Sequence, residues 1–157
     1  MCPNRNADNR IETNFVIDEF FVGEDTFFVR SSVGEMYASG INQNSQLCID
    51  KSLNNGNYIT SLTKIQMNNV DTIAQGKYHT LFKSGSTVTG CGNNYENQMG
   101  PSRGEYSSPT YLFEDENLSA IAACAEGSIF VVKNKVHVIG TQLYGELGMD
   151  ENDITAV

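Results

Sequence analysis

No apolar run in this chain approaches the roughly 18 to 20 residues that a membrane span requires, and the mean hydropathy is -0.32. The first residues, Met1 to Asp8, are polar and lack the apolar segment of a signal peptide. Basic residues are scarce: 10 Lys and Arg stand against 19 Asp and Glu, a formal charge of -9. Nucleic-acid binding draws on a basic face that neutralises phosphates, and the sequence offers none, its closest basic pair being Lys133 and Lys135. These absences argue against a membrane protein and against a nucleic-acid partner. From Glu105 to Glu126 inclusive there are five acids and no Lys or Arg. That stretch reads as a solvated rim, with a patch for a basic protein partner as the alternative.

Metal and catalytic patterns are missing too. The cysteines, at positions 2, 48, 91 and 124, form no Cys-x-x-Cys pair, and His79 and His137 do not complete a zinc spacing. Without a secretory signal they read as reduced thiols, mostly buried, which places the chain inside the cell, in cytoplasm or nucleus. No nucleophile-elbow, phosphate-loop or metalloprotease motif occurs, and two histidines leave little scope for acid–base work. The expectation is a non-enzyme with no cofactor and no metal.

What the chain does have is aromatic content and self-similarity. Its 157 residues, with seven Tyr and eight Phe, suffice for one domain with a core. Three stretches align: one from Phe20 to Gly40, one from Ile73 to Gly92, one from Ile121 to Gly140. Their terminal glycines are 52 and 48 residues apart, and Gly23, Gly76 and Cys124 precede them by 17, 16 and 16. A similar tail follows each, with Gln46, Gln98 and Glu146 in register, and Leu47, Met99 and Leu147 beside them. Repetition at this period signals stacked units. Approximate units run 13–57, 58–108 and 109–150, with a lead 1–12 and a tail 151–157, in one repeat domain.

Within the units, Phe27-Phe28-Val29, Leu81-Phe82 and Ile129 to Val132 are short apolar runs of strand type. Val33-Gly34, Ser84-Gly85 and Asn134-Lys135 read as hairpin turns. Further strands are expected over Tyr58 to Ile65 and Thr110 to Phe113. No segment shows a capped helical period. Each unit is then about four strands in a meander, unable to bury both faces alone. Such units placed radially make a propeller, with the terminal glycines serving backbone geometry.

These residues resemble the regulator of chromosome condensation (RCC1-like) repeat family. Its units carry Ile-Ala-x-Gly-x-x-His-Ser/Thr-Leu, then Gly-x-Val-Tyr-x-Trp-Gly, then Asn-x-x-Gly-Gln-Leu-Gly. Unit two matches at Ile73, Ala74, Gly76, His79, Thr80, Leu81, Gly85, Val88, Gly92, Asn93, Gln98 and Gly100. Unit three keeps Ile121, Ala122, Val136, Gly140, Gly145, Leu147 and Gly148; unit one keeps Gly23, Gly34, Tyr37, Gly40, Asn42, Gln46 and Leu47. The match is divergent. The chain has no Trp, and Ser39, Cys91 and Ile139 stand at the family's Trp position. Thr26 and Gly127 replace its His, and Cys48 and Cys124 replace glycines. For His79 the resemblance implies a buried, hydrogen-bonded imidazole.

The resemblance implies an all-β fold, a partial β-propeller of about three four-stranded antiparallel blades. Propellers use about four to eight blades, so an arc of three leaves apolar flanks and strand edges open. Such an arc is completed by a self-copy or another propeller fragment, docks open on a larger assembly, or closes some other way. The function expected is a non-catalytic protein-interaction or structural module, a scaffold or subunit. The alternatives are a guanine-nucleotide exchange factor or regulator of a small GTPase, and an adaptor of a ubiquitin-ligase system. Asn93, Asn94, Tyr95, Gln142 and Tyr144, in the unit tails, are the candidates for partner contact. Solvated loops or blade packing are the competing reading of the same five.

Overall fold

The structure, a computed structural model, describes residues 11–52 and 57–141. Eleven strands and no helix occur among these residues. The first sheet is β1 (Ile17–Val22), β2 (Thr26–Ser31), β3 (Glu35–Ile41) and β4 (Tyr58–Asn68), in that order. The middle sheet is β5 (Thr72–Gln75), β6 (His79–Ser84), β7 (Thr87–Asn93) and β8 (Glu105–Glu114). The third holds β9 (Leu118–Ala123), β10 (Gly127–Val132) and β11 (Lys135–Gly140). Every pairing is antiparallel between neighbours in sequence. The meander is the expected one, but the third sheet has three strands among the described residues rather than four, because a strand equivalent to β8 would fall beyond residue 141.

Sheets and sequence units are offset. Tyr58–Asn68 pairs with β3, Ile41 facing Tyr58 and Glu35 facing Asn68, so it closes the first sheet. The strand expected at Thr110 to Phe113 starts earlier, at Glu105, and runs through Pro109. A proline lacks the N–H of a ladder and is tolerated on an outermost strand; here the register of β7 and β8 shifts between Gly90 and Gly92. The β10–β11 turn is Lys133-Asn134, both at positive φ (51° and 60°), which suits the twist of a two-residue hairpin.

Because the sheets stack face to face, the middle one is covered twice. Leu81 and Phe82 of β6 point to opposite faces and are both fully buried. Phe82 meets Phe28 of the first sheet edge-on, centroids 5.3 Å apart, within one core. Leu81 joins Val88, Met99, Ile121 and Phe130 in a second core against the third sheet. There Phe113 and Phe130 pack edge-on at 5.0 Å. Each such aromatic contact contributes about 0.5–1.5 kcal/mol beyond the area it buries. The unit tails are part of these seams: Leu47 enters the first core and Met99 the second.

Two of the cysteines expected as reduced thiols are bonded to each other. Cys48, in the first tail, and Cys91, on β7, form a disulfide across the seam, with Cα atoms 5.3 Å apart. They are 43 residues apart, a spacing that says nothing until the tail is seen to lie on the neighbouring sheet. Cys124 is a free thiol. The bond removes the ground on which reduced thiols had pointed to the cell interior.

Candidate partner-binding surfaces

Three glycines set one rim of the arc. Gly40, Gly92 and Gly140 have φ of 122°, 108° and 102°, and a Cβ at each would collide with the carbonyl oxygen of Asp25, Tyr78 or Glu126. Those same carbonyls accept the N–H of the residue after the glycine, from Ile41 (3.0 Å), Asn93 (2.8 Å) and Thr141 (3.0 Å). The strand thus leaves the sheet in the same way in every unit, and the two described tails are delivered to equivalent places.

An asparagine organises each described tail. Asn42 donates to the Ile49 carbonyl (2.8 Å) and accepts from the Leu47 N–H (3.0 Å). Asn94 donates to the carbonyls of Gly100 (3.0 Å) and Ser102 (2.8 Å) and accepts from the Met99 N–H (2.6 Å). Asn94 is therefore fully buried, not a side chain offered to a partner. Its equivalence to Asn42 was the signal for that role. Gln46 and Gln98 likewise turn their Oε1 atoms inward, onto the N–H groups of Asn44 and Glu96.

The tails are stapled to the next sheet by hydroxyls. Thr80 donates to the Gln46 carbonyl (2.8 Å), and Ser128 to the Gln98 carbonyl (2.5 Å). With its proton so used, Ser128 Oγ accepts from His79 Nε2, 2.9 Å away. That assigns the proton of the neutral ring to Nε2 and leaves buried Nδ1 with no partner. Burial pushes the His79 pKa down to about 4, so the imidazole is neutral at physiological pH. His79 is a seam residue.

Beside this rim, Tyr78 separates two small cavities. One, of about 130 Å³, is lined by Asn44, Tyr78, Asn93, Tyr95, Glu96, Gln98 and Glu126. The other, of about 250 Å³, includes Glu24, Asp25, Gln43 and Lys77. Lys77 Nζ lies 5.1 Å from the centre of the Tyr78 ring. Asn93 and Tyr95 meet at this notch, the Tyr95 N–H donating to Asn93 Oδ1 (2.8 Å), and Tyr95 is 54% exposed. Gln142, Tyr144 and the tail glycine Gly148 lie outside the described residues. Tyr78, Lys77 and Glu126 were not singled out from the sequence; their place one or two residues after Gly76 and Cys124 is the only hint it holds.

The flank of the first sheet carries exposed apolar side chains. In β1, Phe21 turns to the core shared with the middle sheet, while Phe20 and Val22 turn away and are 69% and 70% exposed. Phe20 is in register with Ile73 and Ile121. Ile73 packs against the core of the preceding sheet and Ile121 is 9% exposed.

No family model and no curated protein matches the chain. Solved structures do. Yeast RCC1 (Prp20) bound to Kap60 superposes with a TM-score of 0.66 at 20% identity, over 79% of this chain and 32% of that one. Prp20p from Saccharomyces cerevisiae, studied for its binding to Gsp1p and histones, gives 0.65 at 20% identity, over 79% and 33%. Human WBSCR16 gives 0.67 at 19% identity, over 83% and 34%. The chain spans about a third of the length of these structures. Its fold is the RCC1-like repeat fold, an open arc of propeller blades.

Proposed function

We propose that this chain is a non-catalytic protein-interaction module, a scaffold or subunit that works inside a larger protein assembly. The observation that carries this reading is the bare flank of the first sheet. Phe20 and Val22 lie exposed on a face whose register partners in the other two sheets pack against a neighbour. Two large apolar side chains on one face of a strand mark a surface that a protein partner covers. The Tyr95 notch is a second contact point of the same module, since loops on a rigid sheet scaffold make binding surfaces. The solved structures of this fold include complexes and partner binding of yeast RCC1, which supports a binding role for the fold. Neither a GTPase-directed role nor a ubiquitin-ligase adaptor role gains a specific residue from the geometry.

The test is the native size of the protein in extracts of its source. The wild-type chain is expected in a complex well above 17.3 kDa, and the Phe20→Glu, Val22→Glu double variant is expected to be lost from it. A double variant that stays in the complex removes the flank as its contact.

A further inference from the structure

The repeat register tells what each face of a sheet meets. Every sheet has a leading face, turned to the sheet before it, and a trailing face, turned to the sheet after it. On the trailing side, Met36, Val88 and Val136 are equivalent, each four residues before its terminal glycine. Met36 and Val88 are 0% exposed, sealed by the sheet that follows; Val136 is 66% exposed. Ala122, equivalent to the buried Ala74, is exposed as well. On the leading side the imbalance is reversed, with Ile121 packed and Phe20 bare. Among the described residues one leading face and one trailing face are therefore left uncovered, and the two internal seams are built from that same pair of faces.

We infer that a second copy of this chain supplies the missing neighbour, the trailing face of its third sheet docking on the leading face of the first sheet. This rests on the proposed role as a binding module and names its partner. The contact is heterologous, one face against a different face, and such contacts close into a ring when the rotation allows. The described residues of two copies bring six sheets, three from each, within the roughly four to eight that propellers use. Continuity with the internal seams sets the geometry: the inner strands β5 and β9 pack side by side, so β9 of one copy lies along β1 of the other. Residues 13–16 cover only the outer part of the leading face, where Phe15 stacks on Tyr37 at 4.1 Å, and leave Phe20 and Val22 open. Phe27 stands where Thr80 and Ser128 donate to the preceding tail, which makes the seam between copies the most apolar of the three.

The experiment measures the mass of the purified full chain by sedimentation equilibrium, for wild type, Phe20→Glu, Val136→Glu, and a 1:1 mixture of the two variants. Both positions are exposed in the single chain, so a charge there leaves the fold intact, checked by circular dichroism. The wild type is expected to reach twice 17.3 kDa. Each variant alone is expected to raise the dissociation constant by at least about tenfold, the loss of a central apolar contact. The mixture is expected to recover a pair, because the Phe20→Glu chain keeps its trailing face and the Val136→Glu chain its leading face. A wild-type monomer at every concentration overturns the inference. So does a dimer weakened by Phe20→Glu and untouched by Val136→Glu, or two variants that fail to rescue each other, since either result describes a like-with-like contact. In all of these the native-extract complex can still depend on Phe20, so the binding role is judged separately.

Discussion

His79 of the middle sheet donates its Nε2 proton to Ser128 of the third, 2.9 Å away across the seam, and Ser128 passes its own to the Gln98 carbonyl. A second proton, on Nδ1, would be buried with no acceptor, so the desolvated ring is held neutral. The folded pKa, about 4, lies below the ordinary 6.5 because the ring is desolvated. A base whose pKa falls on folding contributes stability that is complete above the unfolded value and is lost as pH drops toward the folded one. Thermal unfolding should therefore show a loss between pH 6.5 and 4, on the order of 3 kcal/mol at full extent. In His79→Gln this loss should be absent from that window, leaving only the part due to carboxylates. An equal acid dependence in both proteins would place the sensitivity elsewhere.

The Cys48–Cys91 bond closes a loop of 43 residues between two sheets, and loop-closure entropy assigns it about 4 kcal/mol. Reductant, or Cys48→Ser with Cys91→Ser, is expected to lower Tm by roughly 8–16 °C, at about 2–4 °C per kcal/mol for a chain of this size. Alkylation of protein from its native source, without reductant, checks the bond itself: both cysteines should escape labelling. Labelled Cys48 and Cys91 would show a reduced pair in the cell.

Gly92 and Gly85 separate two reasons for a glycine. Both have positive φ, 108° and 59°, but a Cβ at Gly92 would strike the Tyr78 carbonyl, whereas one at Gly85 meets nothing within 4 Å. Gly85→Ala should cost about 1 kcal/mol, the left-handed backbone penalty alone. Gly92→Ala should cost clearly more, because the rim turn must open. Urea titration of the two variants measures the difference.

Neighbours in the tail should divide in the same way. Asn94→Ala leaves the buried Met99 N–H without its acceptor and the Gly100 carbonyl without the Asn94 donor, a cost of about 1–3 kcal/mol for the buried group left unmet, while the Ser102 carbonyl keeps Tyr106 Oη. Tyr95→Ala, at an exposed site, should change stability by no more than about 0.5 kcal/mol and report on partner contact alone. A Tyr95→Ala protein as unstable as Asn94→Ala would make the tyrosine part of the core.

The glycine register made the repeat, the strand type and the meander legible, because backbone geometry at Gly40, Gly92 and Gly140 admits no other residue and so recurs in the sequence. The seams were less legible. Asn94 looked like a polar loop residue because local sequence does not say that a tail folds back beneath its neighbour. The disulfide was hidden for the same reason: Cys48 and Cys91 each depart from the repeat pattern, and only the packed sheets show that the two departures touch. The flank at Phe20 was readable as strand but not as surface, since exposure there depends on a neighbouring sheet that the described residues do not supply.

Oxidative footprinting of side chains, on the native assembly and on the dissociated chain, reaches the central claim most directly. Phe20 should be labelled heavily in the free chain and shielded in the assembly, while Tyr111, exposed on the outer strand, should be labelled alike in both. Equal labelling of Phe20 in the two states would contradict the account.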